Sequence, residues 1–220
     1  DQPYMFDFYD GGGLDVASLS FAEVDAEGNV NVHAFEGRVR GPGGFPNISA
    51  RTGRINFVGT LTAQGLRIEI QDGVHIVHEG SLHKFVPHVR QVSFNGHLAR
   101  QRGQQVRYIT DRAVFALADD GLVLTEVAPG IDVERDVLGR MGFRPRVAEQ
   151  LLPMDRRLYA TGPMGLAADF GIRARAEALR HVRAELQREL RARVLQRLRI
   201  GVGADEIDAF DIVVNHVADC

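Results

Sequence analysis

The sequence predicts a mixed α/β unit over residues 1–165, followed by a helical and then acidic extension over residues 166–220. Three observations carry this prediction. Short β-branched runs separated by Asp-Gly turns fill much of the first unit, two glycine clusters interrupt its early part, and a helical apolar period begins only near residue 173.

Within the first unit, residues 55–59, 66–70 and 74–77 are strand-like, and the last two flank Gln71-Asp72-Gly73, a hairpin turn signal. Further strands are expected at 105–109, 113–117 and 122–127, with a second turn at Asp119-Asp120-Gly121. One helix is expected from Asp132 to Met141, with Asp132 as its cap and Gly142 near its end. Glu23, Asp25 and Glu27 beside Gly28 read as a solvated hairpin end. Asp111 and Glu126 lie in strand-like segments and read as structural or supporting groups. In the extension, Leu179, Val182, Leu186, Leu190, Val194 and Leu198 recur in steps of three or four, the stripe of an amphipathic helix. A continuous helix over 173–199 would be about 40 Å long. Its nine arginines and three glutamates, followed by Asp205, Glu206, Asp208, Asp211 and Asp219, are read as a packed helix with a solvated basic face. Docking on a partner subunit and binding of nucleic acid or membrane are the alternatives.

Composition narrows the function classes. A chain of 220 residues with 45% hydrophobic content can bury a core, and a formal net charge of -3 gives no overall nucleic-acid footprint. No run approaches the roughly 20 apolar residues of a membrane span, and the start lacks a signal-peptide pattern. Cys220, the single cysteine, supports no internal disulfide and fits the cytoplasm. The absence of an initiator methionine predicts a fragment, a processed chain or an ordered remainder. His75, His78, His83 and His88 have no zinc-site spacing, so neither a metal nor a cofactor is expected.

The glycine clusters are Gly11-Gly12-Gly13, followed by Leu14 and Asp15, and Gly41-Pro42-Gly43-Gly44-Phe45. Glycines lose much backbone entropy on folding, so a cluster implies either tight turns or close approach to a ligand, with amides available to an anion or oxyanion. Neither cluster has a P-loop ending or the dinucleotide-binding pattern. Asp15 reads equally as a turn-bonding residue or a wall of an active site.

The order of motifs adds more. The segments at 6–15, 22–32 and 41–48, followed by 57–63, 108–115 and 124–132, resemble the family I CoA transferases, with the propionate or acetate enzymes nearest. The resemblance covers about residues 4–165. It implies an α/β fold of the transferase and sugar-phosphate-isomerase kind, an open sheet with β-hairpin additions, of which residues 1–165 form most of the second half. It further implies that Gly41, Gly43, Gly44 and Phe45 form the loop holding the thioester carbonyl, and that Gly11, Gly12, Gly13 and Asp15 line the same active region. The family's nucleophilic glutamate would lie upstream of Phe6, supplied by the missing half or a companion subunit. CoA esters and carboxylic acids are then the substrates, with no metal or redox cofactor and with an oligomer expected. A silent assembly subunit, or a CoA-ester hydrolase or lyase on the same scaffold, are the rival readings.

Overall fold

The computed structural model describes residues 2–35, 37–169 and 171. Its centre is a six-stranded sheet of β1 (Val16–Ser20), β2 (Arg54–Val58), β3 (Gln105–Ile109), β4 (Ala113–Ala118), β5 (Gly121–Val127) and β6 (Arg146–Pro153), whose spatial order follows the chain. Strands β1, β2 and β3 are parallel, β3 to β5 are antiparallel, and β6 runs parallel to β5. Connection length decides these directions. Asp119 and Asp120 alone join β4 to β5, which suits a hairpin, whereas parallel neighbours need crossovers. The β1–β2 crossover contains α2 (Phe45–Arg51), and the β2–β3 crossover contains α3 (Gly96–Gln101). Asn95 starts α3 by accepting the Leu98 amide at 2.9 Å.

Alternation sets the core. In β2, Ile55 and Phe57 are buried while Arg54 and Val58 are exposed, and β3 repeats this with Val106 and Tyr108. The Phe57 ring lies 5.8 Å from Phe45, 5.0 Å from Phe94 and 5.4 Å from Tyr108, so both crossovers are anchored on one strand. Tyr108 also donates its hydroxyl to the Gly28 carbonyl at 2.5 Å. The expected hairpin forms between Arg67–Ile70 and Val74–His78, with Asp72 at a φ of 55° in its turn.

Two local expectations change. Residues 132–141 do not form one α-helix but a π-helical turn at Val133–Val137 and a 3-10 turn at Leu138–Arg140. Asp132 does cap the first turn, accepting the Arg135 amide at 2.8 Å. Arg112 Nη1, however, donates to the Asp136 carbonyl at 3.2 Å, and the Asp136 carboxylate accepts the Asp132 amide at 3.0 Å, so groups of a regular helix are engaged elsewhere. The second correction is that Glu23 and Asp25 are buried, not solvated. Glu23 accepts from Asn31 at 2.8 Å and the Arg90 amide at 3.0 Å, while Asp25 accepts the Asn29 amide at 3.0 Å and that residue's side chain at 3.1 Å. These partners satisfy the buried carboxylates.

The chain divides into two compact units between Met164 and Gly165. In the second, the described residues include a short helix, α4 (Leu166–Asp169). The amphipathic helix expected over 173–199 lies outside the described residues.

Candidate active site

The two glycine clusters meet different structural demands. The first ends α1 (Gln2–Asp10): the Gly12 amide donates to Tyr9 at 3.0 Å and the Gly13 amide to Phe8 at 2.9 Å, with Gly12 at a φ of 81°. That is a Schellman cap, whose left-handed residue favours glycine. The second cluster leads into α2 with Gly43 at a φ of 58° and Gly44 at its N-terminus, where no side chain caps the helix. No described residue accepts a hydrogen bond from the Gly43 or Gly44 amides. Phe45 is buried and stacked on Phe57, which fixes the position of this loop while Gly41, Pro42 and Gly43 stay exposed.

Contacts place these loops relative to the sheet. A Cβ on Gly44 would lie 3.4 Å from the Phe6 ring, Asn47 donates to both Asp10 oxygens at 3.1 Å, and a Cβ on Gly12 would lie 3.8 Å from Arg51. The order advances together, so α1 and α2 run in the same direction. Gln104, just before β3, donates to the Ser49 and Thr52 carbonyls at 3.0 and 2.8 Å, which sets the end of α2 at the amino ends of the parallel strands. Its start, with the Gly41–Gly44 loop, therefore faces the carboxyl ends, where open α/β sheets bind ligands. Gly12 and Asp15 instead line an open depression of about 450 Å³ at the amino ends, with Arg51, Gly53, Arg54 and Gln105. The structure thus separates two clusters that the family resemblance assigns to one active region, by about one α2 length, roughly 10 Å.

The carboxyl ends hold a charged cluster. Arg112 is fully buried and donates to Asp111 at 2.8 Å and to both Glu79 oxygens at 2.9 and 3.2 Å. Asp111 also accepts the Leu61 amide at 2.8 Å, fixing the turn after β2, and Glu79 accepts from the Thr62 hydroxyl. Burial pushes the Glu79 carboxyl up, but the bonds from Arg112 and Thr62 outweigh it and hold it below the ordinary value. Lys84 lies nearby, only 9% exposed, with Nζ 3.9 Å from the centre of the Phe21 ring. Burial depresses its ammonium to about 8, against a smaller opposing field from Asp111. Asp111 is thus a structural clamp, as expected, whereas Lys84 was missed; its signal was that it is the only lysine among 26 basic residues. Among the described residues, no three His, Cys, Asp or Glu side chains cluster to hold a metal, and no helix is long and apolar enough to cross a membrane.

Comparison with known proteins fits this architecture. No protein-family model matches the chain. The acetate CoA-transferase YdiF of Escherichia coli K12 is 52% identical over 166 residues, covering 75% of this chain and 31% of that protein. The caffeate CoA-transferase of Acetobacterium woodii is 41% identical over 177 residues, covering 78% of this chain and 34% of that protein. The solved YdiF thioester complex with CoA, from Escherichia coli O157:H7, superposes with a TM-score of 0.74 at 51% identity, over 75% of this chain and 32% of that one. The fold is that of an acyl-CoA transferase. This chain carries a segment of the family I CoA transferases, and it spans about a third of the length of the curated relatives it matches.

Proposed function

We propose that the chain is part of an acyl-CoA:carboxylate CoA transferase working through a glutamyl-CoA thioester, with the glutamate supplied by polypeptide outside residues 1–220. The observation that carries this reading is the shared direction of α1 and α2. It brings the chain entering α1 to the same end as the Gly41–Gly44 loop, whose uncapped amides suit a developing oxyanion. Bare apolar surface supports further polypeptide here: α1 has no buried residue, Tyr4, Met5 and Phe8 are 74%, 48% and 54% exposed, and β1 is a sheet edge.

In this chemistry the glutamate carboxylate attacks the acyl-CoA carbonyl and expels CoA thiolate, leaving a mixed anhydride. The thiolate attacks the glutamyl carbonyl and releases the first acid as its carboxylate. The incoming carboxylate attacks the glutamyl thioester, expelling thiolate and forming a second anhydride. Thiolate then attacks the new acyl carbonyl and regenerates the glutamate. Each step exchanges one anionic leaving group for another, so no net proton transfer, metal or redox cofactor enters. The amides of Gly43 and Gly44 would hold the carbonyl oxygen as it becomes negative, an interaction made in the transition state. The YdiF thioester complex with CoA shares this fold and supports the choice of intermediate.

The test is exchange between acetyl-CoA and propionate by the 220-residue chain, alone and with polypeptide carrying the rest of the transferase. Turnover and a glutamyl-CoA adduct by mass spectrometry are expected only from the combination. Turnover by the chain alone refutes the external glutamate, and a turning-over combination without the adduct refutes the intermediate.

A further inference from the structure

Among the described residues the ion pairs use arginine, at Arg90, Arg112, Arg135, Arg140, Arg144, Arg146 and Arg157. The sole lysine does not follow that pattern. Lys84 is nine-tenths buried, yet among the described residues no carboxylate lies within ion-pairing distance and no acceptor takes a hydrogen bond from Nζ. The nearby carboxylates are already committed: Asp111 serves Arg112 and the Leu61 amide, and Glu79 serves Arg112, Arg140, Thr62 and the Gly80 amide. A buried cation without a partner is costly, and a compact ammonium tolerates that position by lowering its proton affinity where a guanidinium would not.

The surroundings leave room for the charge. Phe21 follows β1, and its ring face meets Nζ; Gly59 follows β2, and a Cβ there would fall 2.8 Å from Nζ and 3.0 Å from the Phe21 ring. Gly59 has no positive φ, so space rather than backbone conformation accounts for the missing side chain. Nζ is also absent from the sealed, unpartnered side-chain atoms, so it retains a path to solvent. An ammonium without a carboxylate partner, the aromatic face it rests on and the glycine that makes space for it thus meet at the carboxyl ends of two parallel strands.

We propose that Lys84 Nζ, between Phe21 and Gly59, binds the carboxylate of a small monocarboxylic acid. Arg112, Arg140 and Lys84 set against Asp111 and Glu79 leave a net charge of +1, which an anion completes. With Lys84 and Phe21 both more than nine-tenths buried, a bulky acid finds no room beside Nζ. The choice of acid rests on the CoA-transferase reading, in which carboxylates arrive and leave; the binding itself does not require turnover. Among the described charged groups, Asp111 is the one whose field acts on Lys84, and it opposes the depression caused by burial.

The single lysine makes the test direct. The chain labelled at lysine Cε gives one lysine resonance, whose midpoint is followed by NMR through a pH titration in propionate and in chloride at equal ionic strength. Saturating propionate is expected to raise the midpoint by about one unit, a tenfold preference of the acid for the ammonium over the amine, with chloride leaving it in place. Gly59→Ala, which puts a methyl group against Nζ, should abolish the propionate effect while the resonance still reports a folded site. An unchanged midpoint in propionate, an equal rise in chloride, or a full response in folded Gly59→Ala overturns the site. Because nothing here depends on CoA transfer, failure of the site and failure of the transferase reading are told apart.

Discussion

Replacing Arg112 with methionine should unfold much of the protein's stability margin. The side chain is fully buried and makes one bond to Asp111, two to Glu79 and one to the Asp136 carbonyl, at 2.8 to 3.2 Å. Methionine keeps much of the stem but leaves Asp111 without a cationic partner and Glu79 with only Arg140, whose Nε lies 3.5 Å from Oε2. Removing one partner of a buried ion pair typically costs about 3–5 kcal/mol, against a total stability on the order of 5–15 kcal/mol. The loss should appear in guanidinium unfolding of the whole chain at neutral pH, followed by circular dichroism. Arg144→Met, which breaks an exposed pair with Glu134, should leave the midpoint nearly unchanged. Acid provides a second readout. Glu79 has a depressed folded-state value, so its contribution is present above its unfolded value and is lost as pH falls through the folded one. The wild type should therefore lose this contribution on acidification below about pH 4.5, and Arg112→Met should lack that part of the decline. A loss under about 1 kcal/mol in Arg112→Met, with an unaltered acid limb, would refute the view that this guanidinium holds the carboxylates in place.

Other substitutions separate space from backbone conformation and charge from packing. Gly43 has a positive φ and no atom within 4 Å of a Cβ, whereas Gly44 has a φ of −77° and an ordinary contact with Phe6. Gly43→Ala should cost about 1–2 kcal/mol through left-handed strain and Gly44→Ala much less; in the complete transferase, Gly43→Ala should slow transfer on the order of 10²-fold if it displaces an oxyanion donor, read as acetyl-CoA exchange per folded molecule. For Lys84→Met the sign follows from the depressed value of about 8 against the ordinary 10.5. Between these values the unfolded chain binds more protons, so the wild type should gain up to about 3 kcal/mol relative to the variant as pH rises through that window; parallel stability curves from pH 7 to 11 would contradict it.

Legibility followed the strength of local constraint. Strands β2 to β5 could be read because apolar residues alternate at Ile55, Phe57, Val106 and Tyr108 and because Asp-Gly turns punctuate the run. Strand β6 could not, since none of its residues is buried, its half-buried positions fall three apart rather than two, and Glu149-Gln150 interrupts its apolar content. Helix α1 has an aromatic run but buries none of it, so no core-facing stripe marks it. Glu23 and Asp25 look like surface acids until Asn31 and, from 64 to 67 residues away, the amides of Val89 and Arg90 close over them. The role expected of the Gly41–Gly44 loop came from the family resemblance, and its position relative to Gly11–Gly13 depends on the direction of α1, which sequence pattern does not fix. Lys84 was visible in composition as the only lysine, yet its meaning requires the fold to show that every neighbouring carboxylate is taken.

That commitment of carboxylates makes Arg112 and Lys84 a coupled pair without direct contact. Arg112 occupies Asp111 through Nε, and Asp111 is also the group whose field acts on Lys84. Removing the guanidinium leaves the second Asp111 oxygen without its donor while the first still holds the Leu61 amide, so the carboxylate stays near the turn after β2 with charge to spare. One effect then acts on Lys84: Asp111 is less neutralised, so its field favours the ammonium more strongly. In Arg112→Met the Lys84 resonance should therefore titrate higher than in the wild type with no acid added, and propionate should raise it less, because an internal carboxylate already offsets the ammonium. The same lysine-labelled sample measures both quantities, with amide dispersion of the residues around Leu61 reporting that the turn persists. If the turn persists and the midpoint stays at the wild-type value, the charge accounting that leaves Lys84 open to an outside carboxylate is wrong. If the midpoint rises and the propionate response is undiminished, Asp111 and the acid do not share the ammonium, and the binding site must lie on another side of Nζ.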